Sequence, residues 1–282
     1  MACQAAKGKG TGVFWPVVSI GAEFMASPEP IVKFHGVSKR YGDGPLVLDA
    51  IDLEMAPGDF VSLIGPSGCG KSTVLKLVAG LNPWTSGEVR VDGTTPRRAR
   101  DRQAFIFQDA TLLPWLTTQQ NVELPLKLRR DPPLERIAKA REMLALVALD
   151  QVGAYYPRQL SGGMKMRASL ARALTLSPRL LLLDEPFGAL DEMTRFRLNE
   201  ELLALRTESA FSAMFVTHSV AEAVFLSNRI IVMSANPGRF HAEIRVDFPY
   251  PRQAELREHS EFQAKVVEVT RLLHEVEEPV RT

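Results

Sequence analysis

Apolar and polar residues alternate from Ile31 to Val37 and again from Val47 to Met55, the pattern of half-buried strands. Phe60-Val-Ser-Leu-Ile64 is a short apolar run ending at a glycine-rich turn, as in a buried strand. A helix is predicted to follow from Gly70 to about Ala79, closed by Gly80. Glu88 to Val91 and Ala104 to Phe107 read as further strands. The middle then changes character. Gln119 to Leu128 and Leu134 to Leu149 have helical spacing and charged faces, with no strand signal between them. Strands return at Leu180 to Leu183, Ala213 to Val216 and Ile230 to Met233, alternating with helical stretches at 192–207 and 220–226. This alternation predicts an α/β fold, a largely parallel sheet with helices on its faces, interrupted by a mainly helical insert. Gln253 to Glu277 reads as a charged amphipathic helix.

Composition narrows the classes. The chain has 282 residues, 45% hydrophobic and 24% charged, enough for one large α/β domain or one domain with an appendage. A net charge of +1 argues against a nucleic-acid binder that works by neutralising phosphates. Cys3 and Cys69 make neither a disulfide framework nor a metal spacing, which fits a reducing compartment. No stretch approaches the ~20 apolar residues that span a bilayer, so a membrane role is expected to come through partner subunits. The run Val13 to Ile20, behind Lys7 and Lys9, faintly resembles a signal peptide. An extension expected to be disordered, or a start at Met25, fits better with the nucleotide chemistry that follows.

That chemistry begins at Gly65-Pro66-Ser67-Gly68-Cys69-Gly70-Lys71-Ser72-Thr73. The segment matches G-x-x-x-x-G-K-[ST] and lies between a buried strand and a helix, as the phosphate-binding motif requires. Its glycines let backbone N–H groups wrap a phosphate, and the helix N-terminus favours the anion. Lys71 offers a point charge to the β- and γ-phosphates, and Ser72 a hydroxyl to Mg²⁺. Leu180-Leu-Leu-Leu183 ends in Asp184-Glu185. Asp184 suits Mg²⁺, held through water, and Glu185, projecting differently along the extended chain, suits the role of general base toward the attacking water.

Leu160-Ser161-Gly162-Gly163-Met164 separates this chain from other P-loop enzymes. Ser161 and the two glycines open a predicted helix running to about Leu176, whose free N–H groups form a second anion site. Taken with the two earlier motifs, this segment resembles the ATP-binding subunits of ABC transporters over about Ile31 to Tyr250. The resemblance implies a P-loop NTPase core with an antiparallel β subdomain and a helical signature subdomain at about 109–175. It places the ATPase domain at 29–250, between an extension at 1–28 and a helical tail at 251–282. It further implies a homodimer in which each ATP lies between the loop of one subunit and Ser161, Gly162, Gly163 and Met164 of the other. Tyr41 would stack on adenine, Gln108 would contact Mg²⁺ and the attacking water, and His218 the γ-phosphate. Ala189-Leu190-Asp191 would face the opposite subunit. Met164 and Met166 stand where the family often has glutamine, losing an amide but keeping length and apolar bulk.

Phe107 to Trp115 and Met233 to Arg239 resemble the nitrate, sulfonate and taurine importer subfamily. That implies transmembrane permease subunits, an indirectly contacted solute-binding protein, and a peripheral place on the cytoplasmic face of the inner membrane. The loop carrying Trp115 and Leu116 would help form the groove for a permease helix. An ABC ATPase acting on DNA or ribosomes is the alternative. It would call for a long heptad insertion or a second cassette, neither of which is present.

Overall fold

The computed structural model describes residues 29–209 and 211–277. The expectation for residues 1–28 lies outside them. In chain order the first elements are β1 (Val32–Arg40), β2 (Leu46–Met55), β3 (Phe60–Ile64), α1 (Lys71–Val78), β4 (Ser86–Val91) and β5 (Gln103–Ile106). Then come α2 (Thr118–Leu128), α3 (Pro133–Leu146) and α4 (Gly162–Leu174), followed by β6 (Leu180–Asp184) and α5 (Glu192–Ser209). The last are β7 (Ser212–Val216), α6 (Val220–Leu226), β8 (Arg229–Ser234), β9 (Arg239–Arg245) and α7 (Ser260–Glu277).

The strands form two sheets. One is antiparallel, in the order β2-β1-β4, and the other has six strands in the order β5-β6-β7-β3-β8-β9. All neighbours in the larger sheet are parallel except β8 and β9. Its central strands are buried on both faces, which is why they read as unbroken apolar runs rather than alternations. The period of two still sorts their side chains. Leu181, Leu183, Ala213 and Phe215 face α4, α5, α6 and α7. Leu180, Leu182, Met214 and Val216 face α1 and the antiparallel sheet. Each fully buried leucine contributes about 1.5–3 kcal/mol before conformational entropy is counted.

Helices α2, α3 and α4 pack on one another as the helical insert. Thr117 caps α2, accepting the N–H of Gln120, while the Gln120 side chain accepts the N–H of Thr117. Asn121, wholly buried, then ties down the preceding loop: its Oδ1 accepts the Leu113 N–H at 2.7 Å, and its Nδ2 donates to the carbonyls of Leu113, Leu116 and Thr117. The loop's backbone is thereby tied to α2 on both sides of Trp115, which stands 69% exposed.

The tail is fastened to the core by Arg252, which is 5% exposed. Its guanidinium donates to five carbonyls, of Val224, Phe225, Ser227, Val246 and Phe248, at 2.9–3.3 Å. It also lies 4.1 Å from the centroid of the Tyr250 ring. Burial pushes its pKa down to about 10, still high enough to keep it charged at neutral pH. Arg252→Ala is expected to strip several buried carbonyls of their donor and cost roughly 2–4 kcal/mol. Calorimetry should then show a melting temperature lower by ~5–10 °C. An unchanged melting temperature would show that other donors replace the guanidinium. The predicted single helix of the tail is two pieces, a 3₁₀ turn at Ala254–Glu258 and then α7. Phe262 and Val269 of α7 are buried in the main core.

Candidate nucleotide site

The loop from Gly65 to Gly70 joins β3 to α1 and has no room for ordinary residues at its ends. A Cβ on Gly65 would lie 2.5 Å from the Met233 carbonyl oxygen, and one on Gly70, at φ +102°, 2.6 Å from Leu48 Cδ2. Lys71 opens α1 and turns back over the loop. Its Nζ donates to the carbonyls of Gly65 and Pro66 at 2.8 and 2.9 Å. Cys69 is buried beneath, 3.8 Å from that ammonium, and burial pushes its thiol pKa up.

Ser72 Oγ donates to Asp184 Oδ1 at 2.7 Å. Burial raises the Asp184 pKa, with the neighbouring Glu185 adding to it, while Ser72, Lys76 and Lys71 oppose the shift. A hydroxyl and a carboxylate adjoining a phosphate loop are the hard oxygen donors that Mg²⁺ takes beside phosphate oxygens. The residues therefore fit that ion.

Glu185 sits one residue beyond β6 at φ +49°, and its N–H donates to the Val216 carbonyl at 3.0 Å. The left-handed turn separates its side chain from that of Asp184. Its Oε1 lies 2.7 Å from His218 Nε2. Both residues line the cleft over the loop together with Ser67, Gly68, Lys71, Ser72 and Thr73. Gln108 borders the adjoining cleft of about 300 Å³, again with Glu185 and His218. One end of the sheet thus collects phosphate donors, the Ser72–Asp184 oxygen pair and a carboxylate–imidazole pair.

Tyr41 stands on the turn between β1 and β2, 47% exposed; Asn82 Nδ2 donates to its hydroxyl at 2.9 Å, and Lys39 Nζ lies 4.4 Å from its ring centroid. Ser161 to Met164 do not line the cleft over the loop. Ser161 caps α4, its Oγ accepting the Met164 N–H at 3.3 Å, so its own O–H remains available to an anion. Gly162 and Gly163 are pressed against the segment after Glu185: added Cβ atoms would meet Leu190 at 3.2 Å and Thr194 at 2.9 Å. Asp191 caps α5 by accepting the Thr194 N–H at 3.0 Å. Met164 packs against the core and Met166 is 4% exposed within it, a position where a thioether is better placed than an amide.

Three residues not singled out from the sequence, Arg195, Thr217 and Glu222, line the cleft beside Glu185 and His218. The signal that marks Glu222 is a lone acid in the otherwise apolar helix Val220–Leu226.

Comparison with known proteins gives the family. The ABC transporter family model matches residues 48–188. The chain is 42% identical over 240 residues to the aliphatic sulfonates import ATP-binding protein SsuB of Bacillus cereus, covering 84% of this chain and 94% of that protein. SsuB 1 of Xanthomonas axonopodis pv. citri is 43% identical, with 83% and 93% covered. The fold matches the dimeric ATP-binding cassette MJ0796 in its post-hydrolysis state, bound to ADP and Pi. The TM-score is 0.69 at 34% identity, over 77% of this chain and all of that one. A chain so similar over so much of its length belongs to the ABC transporter family, and as an ATP-binding subunit of that family it hydrolyses ATP.

Proposed function

We propose that this chain powers the import of a small organic sulfonate, as two copies bound to transmembrane permease subunits fed by a solute-binding protein. The observation that carries the ATPase half is the meeting of Lys71, the Ser72–Asp184 pair and the Glu185–His218 pair at one cleft. The loop N–H groups and Lys71 bind and orient the β- and γ-phosphates, and Tyr41 offers its ring to adenine. Ser72 and Asp184, with Gln108, would hold Mg²⁺, which would supply charge neutralisation at the phosphates. Glu185 accepts the proton of the attacking water, and His218 steadies the carboxylate and reaches toward the γ-phosphate. Ser161, Gly162, Gly163 and Met164 serve the ATP of the opposite copy, which accords with their absence from the lining of the cleft in their own chain. Residues 29–250 form the ATPase domain, with 109–175 as its helical subdomain and the loop carrying Trp115 and Leu116 as part of the groove for the permease. No helix among the described residues is long and apolar enough to cross a membrane. In this reading the chain works from the cytoplasmic face, held there by the permease subunits, as the ATP-binding role named for its relatives implies.

The sulfonate half rests on relatives whose names carry that solute. Reconstitution with the permease and solute-binding protein should give ATP-dependent uptake of aliphatic sulfonates into vesicles. Uptake of nitrate in their place would reject the sulfonate assignment. In the same vesicles, replacing exposed Trp115 and its neighbour Leu116 with alanine should cut uptake about tenfold or more, as loss of an aromatic anchor does. ATP affinity should stay close to wild type. Full uptake by that double variant would show that the loop is not a coupling surface.

A further inference from the structure

Glu222 lies in the first turn of α6, 4% exposed in a helix that is otherwise apolar. A buried carboxylate needs partners, and a leucine there would pack without them. Its two oxygens face in different directions. Oε2 accepts the hydroxyl of Thr217, and Oε1 stands 3.7 Å from Arg195 Nε.

From Thr217 the bonds run around His218. Thr217 Oγ1 accepts the Ser219 N–H at 3.0 Å, and Ser219 Oγ accepts the Glu222 N–H at 3.3 Å. The residue enclosed by this ring of bonds is the one whose Nε2 meets Glu185 at 2.7 Å. On the other side, Arg195 Nη2 donates to the Leu190 carbonyl at 3.1 Å, in the segment that follows Glu185. Glu222 and Arg195 therefore sit behind both backbone segments that carry the reacting pair. Arg195 Nε and Glu222 Oε1 are themselves buried without a hydrogen-bond partner, so the cluster is anchored at its Thr217 and Leu190 ends rather than by the ion pair. Burial pushes the Glu222 pKa up, and Thr217, Arg195, Asn199 and Arg257 act against that shift.

We propose that Glu222 is a positioning residue for ATP hydrolysis, fixing Thr217 so that His218 is aimed at Glu185, with Arg195 backing it on the side of Leu190. The inference rests on the ATPase reading above and adds a residue that touches no nucleotide in it. A side chain that only supports the fold would lower stability and nucleotide affinity together. One that aims His218 lowers turnover through His218 alone.

The test uses the full chain, with single-turnover phosphate release from Mg²⁺-ATP and the affinity for a fluorescent ATP analogue as readouts. Glu222→Leu removes the acceptor at near-constant volume. Thr217→Val removes the hydroxyl alone and serves if Glu222→Leu does not fold. Each is expected to slow release about tenfold, as loss of aim by a fraction of an ångström does, with analogue affinity within twofold of wild type. Thr217→Ser keeps the hydroxyl and should recover most of the rate. In a His218→Ala background, adding Thr217→Val or Glu222→Leu should cost less than about twofold, because coupled residues do not add. Defects that multiply across that cycle, or a Thr217→Ser chain as slow as Thr217→Val, would overturn the proposal. Absence of hydrolysis by the wild-type chain would instead reject the ATPase reading on which it stands.

Discussion

Glu185→Gln is expected to slow ATP hydrolysis by roughly 10²–10⁴ while leaving ATP affinity close to wild type. The amide preserves the size of the side chain, and its oxygen can still accept a hydrogen bond from His218 Nε2, which lies 2.7 Å from the carboxylate. What it cannot do is take the proton of the attacking water. The variant should therefore bind nucleotide, close around it and stall, and ATP should accumulate in a dimer visible by size-exclusion chromatography. Single-turnover measurements separate the chemical step from product release. A rate within a factor of two of wild type would remove Glu185 from the role of base.

Lys71→Ala should fail earlier in the cycle. Lys71 is 5% exposed, and its ammonium ties the loop together through the carbonyls of Gly65 and Pro66. Replacing it removes both that tie and the positive charge in a site made for a polyanion. Turnover should fall by ~10²–10³, the usual cost of losing one charge-stabilising donor, and ATP affinity should fall with it. The two variants thus differ in kind: one retains its nucleotide and the other does not. Equilibrium binding to an ATP analogue distinguishes them. Undiminished hydrolysis by Lys71→Ala would overturn the assignment of the phosphate loop.

The parts of this molecule that local sequence determines were legible in it. The loop at Gly65–Thr73, the apolar strand before Asp184 and the helix from Val220 to Leu226 lie where the pattern of residues places them. What escaped depends on partners distant in the chain. Strand β9 carries Arg239, Glu243 and Arg245 along its exposed face and borders the sheet on one side only, so its apolar signal is thin. The tail reads as one helix because Ala254 to Glu258 shares the charged spacing of α7, yet Arg252 and Phe262 fix it to the core from both sides of that turn. In the site, the separate acids and His218 were recognisable by type and order. Their mutual contact was not, because it arises only when β6 and β7 pair. Thr217, Glu222 and Arg195 were harder still, since a single acid in an apolar helix does not say what it faces.

The left-handed backbone at Glu185, φ +49°, sets two selective pressures against each other. A residue with a Cβ held there costs about 1–2 kcal/mol that glycine would relieve. Glycine, however, has no carboxylate to offer the water. Selection for a heat-resistant fold and selection for turnover therefore pull this one position in opposite directions. A search that rewards thermostability alone would be drawn to remove the side chain on which turnover depends. Any route to a hardier version of this subunit has to find its gains elsewhere in the chain and leave this turn strained.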